Sequence, residues 1–215
     1  MDSENIQVID CGVLEYGETL GLQMEFWENL LAGKVGNTVL LVEHPDVITL
    51  GARKTENKLV TSEQQILDKG IELHRIGRGG GTTAHNQGQI VIYPMVNLKS
   101  VGMDVPGYVR SLEAIGIELL EGLGVESQRR KGFPGLWVGE KKIASIGVQI
   151  KKWITMHGMA INIQNDLSIF ENIVPCGIDG VRMTSVKEET GVEHAMDEVK
   201  HIVTELCYKQ WDGIM

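Results

Sequence analysis

Cysteine, aromatic residues and long apolar runs are all scarce in this 215-residue chain. Its three cysteines, odd in number and far apart, exclude a disulfide framework and a paired metal site, and they favour free thiols in a reducing, cytoplasmic compartment. No apolar run approaches the roughly 20 residues that span a bilayer. The acidic residues 1–5 lack the features of a secretory signal or a transit peptide, although a processed chain would begin in the same way.

Basic residues are also few, with 20 Lys and Arg against 29 Asp and Glu and a net charge of −9. This balance argues against nucleic acid as the main partner. The basic residues are unevenly placed, because residues 129–152 hold seven of them against the single acid Glu140. Such a run is either a solvated face or a docking surface for an acidic partner.

The hydrophobic pattern mixes helices and strands without a strict βαβ alternation. It predicts helices over residues 18–32, 61–69, 108–123 and 194–211. It predicts strands over residues 38–42, 47–50, 71–76, 89–96, 135–138, 142–150 and 153–163. In the first helix, Leu20, Met24, Trp27 and Leu31 form the predicted apolar stripe. The pattern indicates an α+β fold with a mixed or antiparallel sheet flanked by helices.

Cys176 is the most informative residue of the chain, because Pro175 and Gly177 enclose it. Both neighbours resist regular helix, so they present the thiol from a tight turn. A thiol held there suits a nucleophile that attacks an activated acyl group. The alternative is a small buried apolar residue, which is how most free cysteines behave.

Arg78 opens a polar run in which three glycines are followed by Thr82, Thr83, Ala84 and His85. Consecutive glycines let a backbone approach a ligand closely and turn its amides toward negative charge. Arg78 adds a cation and His85 a proton carrier. The alternative is a flexible hairpin loop. The run is neither a Walker loop nor a dinucleotide fingerprint, because no Gly-Lys-Ser/Thr closes it and no helix follows.

Two further segments combine polar and small residues in predicted strands. Lys142 enters a strand that continues with Ser145 and Gly147, as the floor of a pocket would. His157 precedes Gly158 in the next strand, and a strand glycine often marks close approach by a ligand or another backbone. Lysines at strand starts are more often solvated edge residues, and strand histidines are more often packed or exposed.

Taken in order, these segments resemble the lipoyl(octanoyl) transferases, which belong to the biotin/lipoate protein ligase fold group. The pairing of Lys142 with Cys176 is the specific part of the resemblance. The similarity covers almost the whole chain, at residues 41–45, 78–85, 135–139, 142–147, 158–160, 175–178 and 184–185.

The resemblance implies one catalytic domain over residues 1–215. Such an enzyme transfers octanoyl groups from octanoyl-acyl carrier protein to a lysine of lipoyl domains, the first step of endogenous lipoate synthesis. The acceptors are E2 subunits of 2-oxoacid dehydrogenases and the glycine cleavage H protein. The family needs no cofactor or metal, and the resemblance favours a monomer.

The resemblance also assigns roles to residues. The cysteine matching Cys176 carries the acyl thioester, and the lysine matching Lys142 favours its thiolate. Lys142, after giving up its proton, or His85 would serve as the base for the incoming amine. The substrate-binding stretches match Arg78, Gly79, Gly80, Gly81, Thr82, Thr83, Ala84, His85, Ser145, Ile146, Gly147, Gly158, Met159 and Ala160.

One departure and three alternatives remain. The family usually has His-Gly-Pro-Gly-Gln where this chain has Asn86 and Gln87 after His85, which bears on the shape of the acyl tunnel. An amidotransferase between lipoyl-bearing proteins would use the same cysteine. An ATP-dependent lipoate ligase, suggested by the triple glycine, would not need Cys176. A non-enzymatic binder of lipoyl domains would leave it unacylated.

Overall fold

Between residues 6 and 211, which a computed structural model describes, the chain forms two sheets and five α-helices. Residues 1–5, for which no targeting segment was predicted, and residues 212–215 lie outside the described residues. The helices are α1 (Tyr16–Leu31), α2 (Glu63–Asp68), α3 (Val105–Gly122), α4 (Val186–Thr190) and α5 (Met196–Trp211). Within the described range, none of them is both long and apolar enough to cross a membrane.

The strands follow the predicted order, with additions at the start, in the middle and near the end of the chain. They are β1 (Gln7–Val13), β2 (Thr38–Glu43), β3 (Val47–Leu50), β4 (Glu72–Arg75), β5 (Thr82–His85), β6 (Gln89–Met95), β7 (Gln128–Arg130), β8 (Phe133–Val138), β9 (Lys141–Lys151), β10 (Ile154–Asn162) and β11 (Arg182–Met183). The large sheet has the order β1-β2-β6-β10-β9-β8-β7 with β11 beside β9, and the small sheet has the order β4-β3-β5.

The pairing of the strands is mixed and largely antiparallel. Only the pairs β1–β2, β3–β4 and β9–β11 are parallel among the strand pairs described. The predicted α+β class is therefore confirmed.

Helices cover both faces of the large sheet, which explains why its central strands lack a polar face. In β2, Val39 and Leu41 join the core formed with α3 and α5. Leu40 and Val42 point to the opposite face and pack with residues of α1. A strand buried on both faces has a continuous apolar sequence rather than an alternating one. Each fully buried side chain of this size contributes roughly 1.5–3 kcal/mol to stability.

Helix α1 is confirmed, but the predicted apolar stripe was the wrong face. Met24 is 52% exposed and Leu31 is 41% exposed. Leu22, Phe26 and Leu30 pack against the core beneath the helix instead. The helix carries two apolar stripes of similar spacing, and only packing against the sheet decides which one is buried.

A smaller core beneath the small sheet positions the segment that carries Cys176. Ile48 of β3 and Ile66 of α2 pack there with Phe170 and Ile173. Ile173 also forms an isolated β-bridge with Leu59. The chain therefore leaves this core in a fixed direction just before the turn at Pro175–Gly177.

Candidate active site

The turn Pro175–Gly177 presents Cys176 from a constrained backbone. Cys176 has φ 56° and ψ 15°, and Gly177 has φ 68°, so two consecutive residues are left-handed. A non-glycine residue in this region costs roughly 1–2 kcal/mol. The turn is closed by the amide of Gly177 donating to the carbonyl of Val174 at 3.0 Å. A Cβ on Gly177 would lie 3.0 Å from the Cα of Glu56, so the glycine is needed for space as well as for conformation.

Lys142, at the start of β9, reaches the sulfur of Cys176. Its Nζ donates to Cys176 Sγ at 3.1 Å and to the carbonyl of Pro134 at 3.1 Å. The lysine is 2% exposed. Gly135 makes room for it, because a Cβ there would lie 2.9 Å from Lys142 Cε. An ammonium at this distance stabilises a thiolate relative to a thiol.

The neighbouring Lys141 points elsewhere, as expected for consecutive residues of a strand. Its Nζ donates to the carboxylate of Glu189 on α4. The two remaining cysteines are held as neutral thiols. Burial raises the pKa of Cys11, and burial raises the pKa of Cys207 to about 12. Cys176 is the cysteine whose sulfur accepts a hydrogen bond from a lysine ammonium among the described residues.

Cys176 lies where two cavities meet. The inner pocket, of about 40 Å³, lies between residues 78–81 and the middle of β9 and β10. The outer cleft, of about 600 Å³, opens between the β7–β8 hairpin and residues 53–56 and 177–178. The residues that line both cavities are Gly80, Ile146, Gly147 and Cys176. Cys176 therefore borders a small space on one side and a much larger one on the other.

Most of the predicted substrate-binding residues surround these cavities. Those lining the inner pocket are Arg78, Gly80, Gly81, Thr83, His85, Ser145, Ile146, Gly147, Gly158, Met159 and Ala160. Gly79 lines the outer cleft. Thr82 and Ala84 line neither of the two.

Thr82 and Ala84 line neither cavity because Thr82–His85 forms a strand and is not part of a loop. It pairs antiparallel with β3, with Thr83 opposite Thr49. Alternate side chains of a strand face opposite ways. Thr83 and His85 therefore line the inner pocket, while Ala84 packs into the small core.

Arg78 braces the glycine loop from inside. Its guanidinium donates to the carbonyls of Gly79 and Gly81 at 3.1 and 2.8 Å, and to the carbonyl and hydroxyl of Thr49 at 2.8 and 2.7 Å. The amide of Gly79 donates to the carbonyl of Val148. The guanidinium of Arg78 and the amide of Gly79 thus donate to protein oxygens. Neither therefore contributes to the anion-binding nest that the three glycines predicted.

The inner pocket holds neutral histidines. Burial lowers the pKa of His85 to about 3 and that of His157 to about 4. His85 Nδ1 hydrogen-bonds Gln89 Oε1 at 2.7 Å. Within residues 6–211, its recorded hydrogen bonds do not include Cys176 or Lys142. Of the two predicted bases, the structure thus places Lys142 at the sulfur.

The departure at Asn86 and Gln87 lies away from Cys176. The side-chain Nδ2 of Asn86 donates to the backbone carbonyl of Asp166, and its Oδ1 accepts from the side-chain Nδ2 of Asn165. Neither Asn86 nor Gln87 lines the inner pocket or the outer cleft. The changed residues connect two loops and leave the surroundings of the sulfur untouched.

The basic residues between 129 and 152 do not form one surface. Arg129 pairs with Glu113 at 3.0 Å, and Arg130 pairs with Glu140 at 2.8 Å. Lys151 is at the opposite end of β9 from Lys141, and the rise of an extended strand separates the two by about 30 Å. The charges are therefore spread along the strand, Arg130 lines the outer cleft, and docking of an acidic partner on this segment stays a prediction.

Several residues of the two cavities were missed from the sequence. Tyr16 and Tyr93 line the inner pocket, and Glu56 and Phe133 line the outer cleft. The alternation of β6 gives a signal for Tyr93, which shares a face with the buried Val91. The other three come from a helix start, a short turn and a hairpin, where the local pattern does not indicate orientation.

Comparisons with known proteins identify the family of the chain. The family model described as the lipoyl protein ligase A/B catalytic domain matches residues 15–207. The octanoyltransferase of Syntrophotalea carbinolica is 43% identical over 91% of this chain and 89% of its own length. The mitochondrial octanoyltransferase of Arabidopsis thaliana is 38% identical over 91% of this chain and 84% of its own length.

A solved structure shares the fold. A crystal structure of lipoate-protein ligase A bound with ATP superposes with a TM-score of 0.73, covering 96% of this chain and 84% of that one. At 17% identity this likeness concerns the fold alone. The predicted resemblance is confirmed: the chain belongs to the lipoyl protein ligase A/B family and, within it, to the octanoyltransferases.

Proposed function

We propose that this enzyme transfers octanoyl groups through a thioester on Cys176. The single observation that carries the proposal is the 3.1 Å contact between Lys142 Nζ and Cys176 Sγ at the junction of a narrow pocket and an open cleft. A nucleophile beside a cation, with separate spaces for an acyl chain and for incoming groups, suits acyl transfer.

The first half-reaction forms the acyl-enzyme. The Cys176 thiolate attacks the carbonyl carbon of the octanoyl thioester of a carrier protein, and a new C–S bond forms. The bond to the carrier sulfur breaks, and that sulfur leaves with the electron pair. Lys142 supplies a proton to the departing thiolate, so the amine of Lys142 becomes neutral.

The second half-reaction forms the amide. The neutral amine of an acceptor lysine attacks the thioester carbon, and Cys176 leaves as a thiolate. The proton that the acceptor nitrogen loses passes to Lys142, which restores the ammonium and thiolate. Both half-reactions start from a thioester, so neither needs ATP or a metal.

The two cavities supply the separate spaces that this mechanism requires. The octanoyl chain would lie in the inner pocket, where Gly147 and Gly158 carry no side chains. The acceptor lysine and the arm of the carrier would reach the sulfur through the outer cleft, which is the wider of the two.

The proposed partners are an acyl carrier protein as donor and lipoyl domains as acceptors. The 2-oxoacid dehydrogenase E2 subunits and the glycine cleavage H protein stay the expected acceptors. Arg53 and Arg130 line the outer cleft, where Arg53 pairs with Glu56 at 2.9 Å, so the lining carries charges of both signs and an acidic donor stays an expectation from the family. Cys11, Cys176 and Cys207 are free, which supports a reducing compartment such as the cytoplasm.

Intact mass measurement tests the proposal. The protein is incubated with octanoyl-carrier protein without ATP, and we expect a gain of one octanoyl group that hydroxylamine removes. Cys176→Ser should gain no hydroxylamine-labile group, while Cys11→Ser and Cys207→Ser should behave like the wild type. An adduct that survives in Cys176→Ser, or one on another cysteine, would overturn the assignment.

The same assay separates the alternatives. A ligase would need free octanoate with ATP, and an amidotransferase would be acylated by an octanoylated lipoyl domain but not by the carrier. A binder of lipoyl domains would show no mass change with any donor.

A further inference from the structure

The ammonium of Lys142 has three N–H donors and two hydrogen-bond acceptors around it. The acceptors recorded among the described residues are the carbonyl of Pro134 and the sulfur of Cys176, both at 3.1 Å. The indole of Trp137 is the third group, with its ring centroid 5.3 Å from Nζ. This distance is within the roughly 6 Å over which an aromatic face attracts a cation.

An irregularity in the sheet brings the two side chains together. Strands β8 and β9 pair Leu136 with Ala144, and then the register shifts so that Trp137 lies opposite Lys142. Without that shift, Ile143 would stand opposite the indole. A bulge re-aims a side chain in this way and is common beside active sites.

The indole itself is held rigidly. Trp137 is 1% exposed, and its Nε1 donates to the carbonyl of Phe133 at 3.3 Å. The guanidinium carbon of Arg130 lies 4.2 Å from the ring centroid. Arg130 is fixed in turn by the carbonyl of Gly139 at 2.9 Å and the carboxylate of Glu140 at 2.8 Å. The ring therefore keeps its orientation toward the lysine.

We propose that Trp137 is a positioning residue that keeps the side chain of Lys142 directed at Cys176. A buried ammonium loses its hydration, and an aromatic face replaces part of it where water has no room. The ammonium that the ring holds in place is the one that faces the sulfur. The consequence for transfer rests on the proposed function, but the coupling between ring, lysine and thiol does not.

The rate of Cys176 alkylation, measured without any acyl donor, tests the proposal. Peptide mass spectrometry follows iodoacetamide labelling of Cys176 from pH 6 to pH 9. In Trp137→Leu the rate at neutral pH should fall roughly threefold to tenfold, the range expected for a lost cation–π contact. Trp137→Phe, which keeps an aromatic face, should lie between Trp137→Leu and the wild type.

Trp153→Leu is the matched control. This tryptophan is 45% exposed in the β9–β10 turn, and Lys99 Nζ lies 5.5 Å from its ring centroid. Its replacement also removes a tryptophan and a cation–π contact, but far from Cys176 along β9. The alkylation rate should be unchanged.

The double variant with Lys142→Met distinguishes positioning from general disruption. If the ring acts through the ammonium, Trp137→Leu should cause no further slowing once Lys142 is replaced. The same fractional slowing with and without Lys142, or a wild-type rate in Trp137→Leu, would overturn the proposal. If Trp137→Leu does not fold, Trp137→Phe, measured alone and combined with Lys142→Met, gives the same comparison. An enzyme that is not acylated by the carrier but passes this cycle would refute the proposed function and leave the positioning role intact.

Discussion

The inner pocket and the outer cleft meet at one sulfur but are built in different ways. Sheet residues form most of the inner wall, and a Cβ on Gly158 would lie only 2.1 Å from the carbonyl of Ile92. Loops and a hairpin form the rim of the cleft, where Phe133 is 41% exposed. The inner space is therefore set by backbone contacts that cannot yield, and the outer one by side chains that can.

Because they are built differently, the inner pocket and the outer cleft select their ligands in different ways. A wall of close-packed backbone discriminates by shape, so small changes should have large effects there. A rim of exposed charges acts over a distance and is screened by salt, so changes there should be graded.

Adding one methyl group to the inner wall should have the largest effect. In Gly158→Ala the new Cβ would meet the carbonyl of Ile92 and lie 2.8 Å from Pro94 Cδ. Because the strand must move, we expect roughly a hundredfold loss in the rate of acylation and a loss of about 1–3 kcal/mol in the free energy of unfolding. Quenched time courses of acylation measure the rate, and denaturant titrations measure the free energy of unfolding.

Gly79→Ala is the control for that change. The nearest atom to its new Cβ would be the carbonyl oxygen of Val148 at 3.5 Å, an ordinary contact. Acylation should remain near the wild-type rate. Full activity in Gly158→Ala would contradict the view that the inner wall is rigid.

The two adjacent lysines of β9 compare the junction with its surroundings. Lys142→Met should reduce octanoyl transfer roughly a hundredfold, because it removes both the thiolate partner and the proton carrier. Its Cys176 should also alkylate roughly tenfold more slowly at neutral pH. Lys141→Met also removes one positive charge, but Lys141 pairs with Glu189 and not with Cys176, so both rates should change little. Similar losses in the two variants would exclude a specific role for Lys142.

Acid should weaken the inner pocket through its buried histidines. Burial lowers the pKa of His157 to about 4, against about 6.5 for a free histidine. Between these values the unfolded chain binds the proton and the folded one does not, so stability is lost as the pH falls from about 6.5 to about 4. Between pH 7.5 and 5.5, His157 should account for about 1 kcal/mol of that loss.

His157→Asn should therefore flatten the dependence of unfolding free energy on pH. Asparagine tolerates the left-handed backbone of this position, where φ is 58°. Val148→Ala, at the cross-strand partner, should lower stability equally at both pH values. An unchanged slope in His157→Asn would show that the histidine titrates normally in the folded protein.

Charge reversal on the rim should give the smallest effect. Lys131 lies between Arg130 and Gly132, which both line the cleft. Arg53→Glu combined with Lys131→Glu should slow acylation by an acidic carrier protein roughly threefold at low salt, and the difference should shrink as salt is added. Lys151→Glu with Lys152→Glu changes the charge equally at the far end of β9 and should have little effect. A small octanoyl thioester should acylate all variants alike. Equal slowing with both donors would place the rim residues in a structural role.

The sequence predicted some of this architecture well. Strands β9 and β10 lie within one residue of their predicted bounds, and the alternation that predicted β9 is a local property. The turn at Cys176 could be anticipated because proline fixes its own φ and glycine readily adopts positive φ, whatever the rest of the chain does. The contact of Cys176 with Lys142 was expected only through the family resemblance, since 34 positions separate them.

The remaining features depend on distant parts of the chain. The buried face of α1 was missed because two apolar stripes compete and only the sheet decides. Strand β5 was missed because its buried polar residues Thr82 and His85 follow three glycines. The register shift that places Trp137 opposite Lys142 leaves no mark in either strand, since it exists only in their pairing.

The meeting of the two cavities at Cys176 also constrains the kinetics. The inner pocket, at about 40 Å³, cannot admit a protein, so on the proposed mechanism donor and acceptor must use the outer cleft in turn. Such an enzyme follows a double-displacement scheme, and discharged carrier competes with the acceptor for the acylated form. Turnover in a cell would then depend on the ratio of free carrier to lipoyl domains as well as on the supply of octanoyl groups.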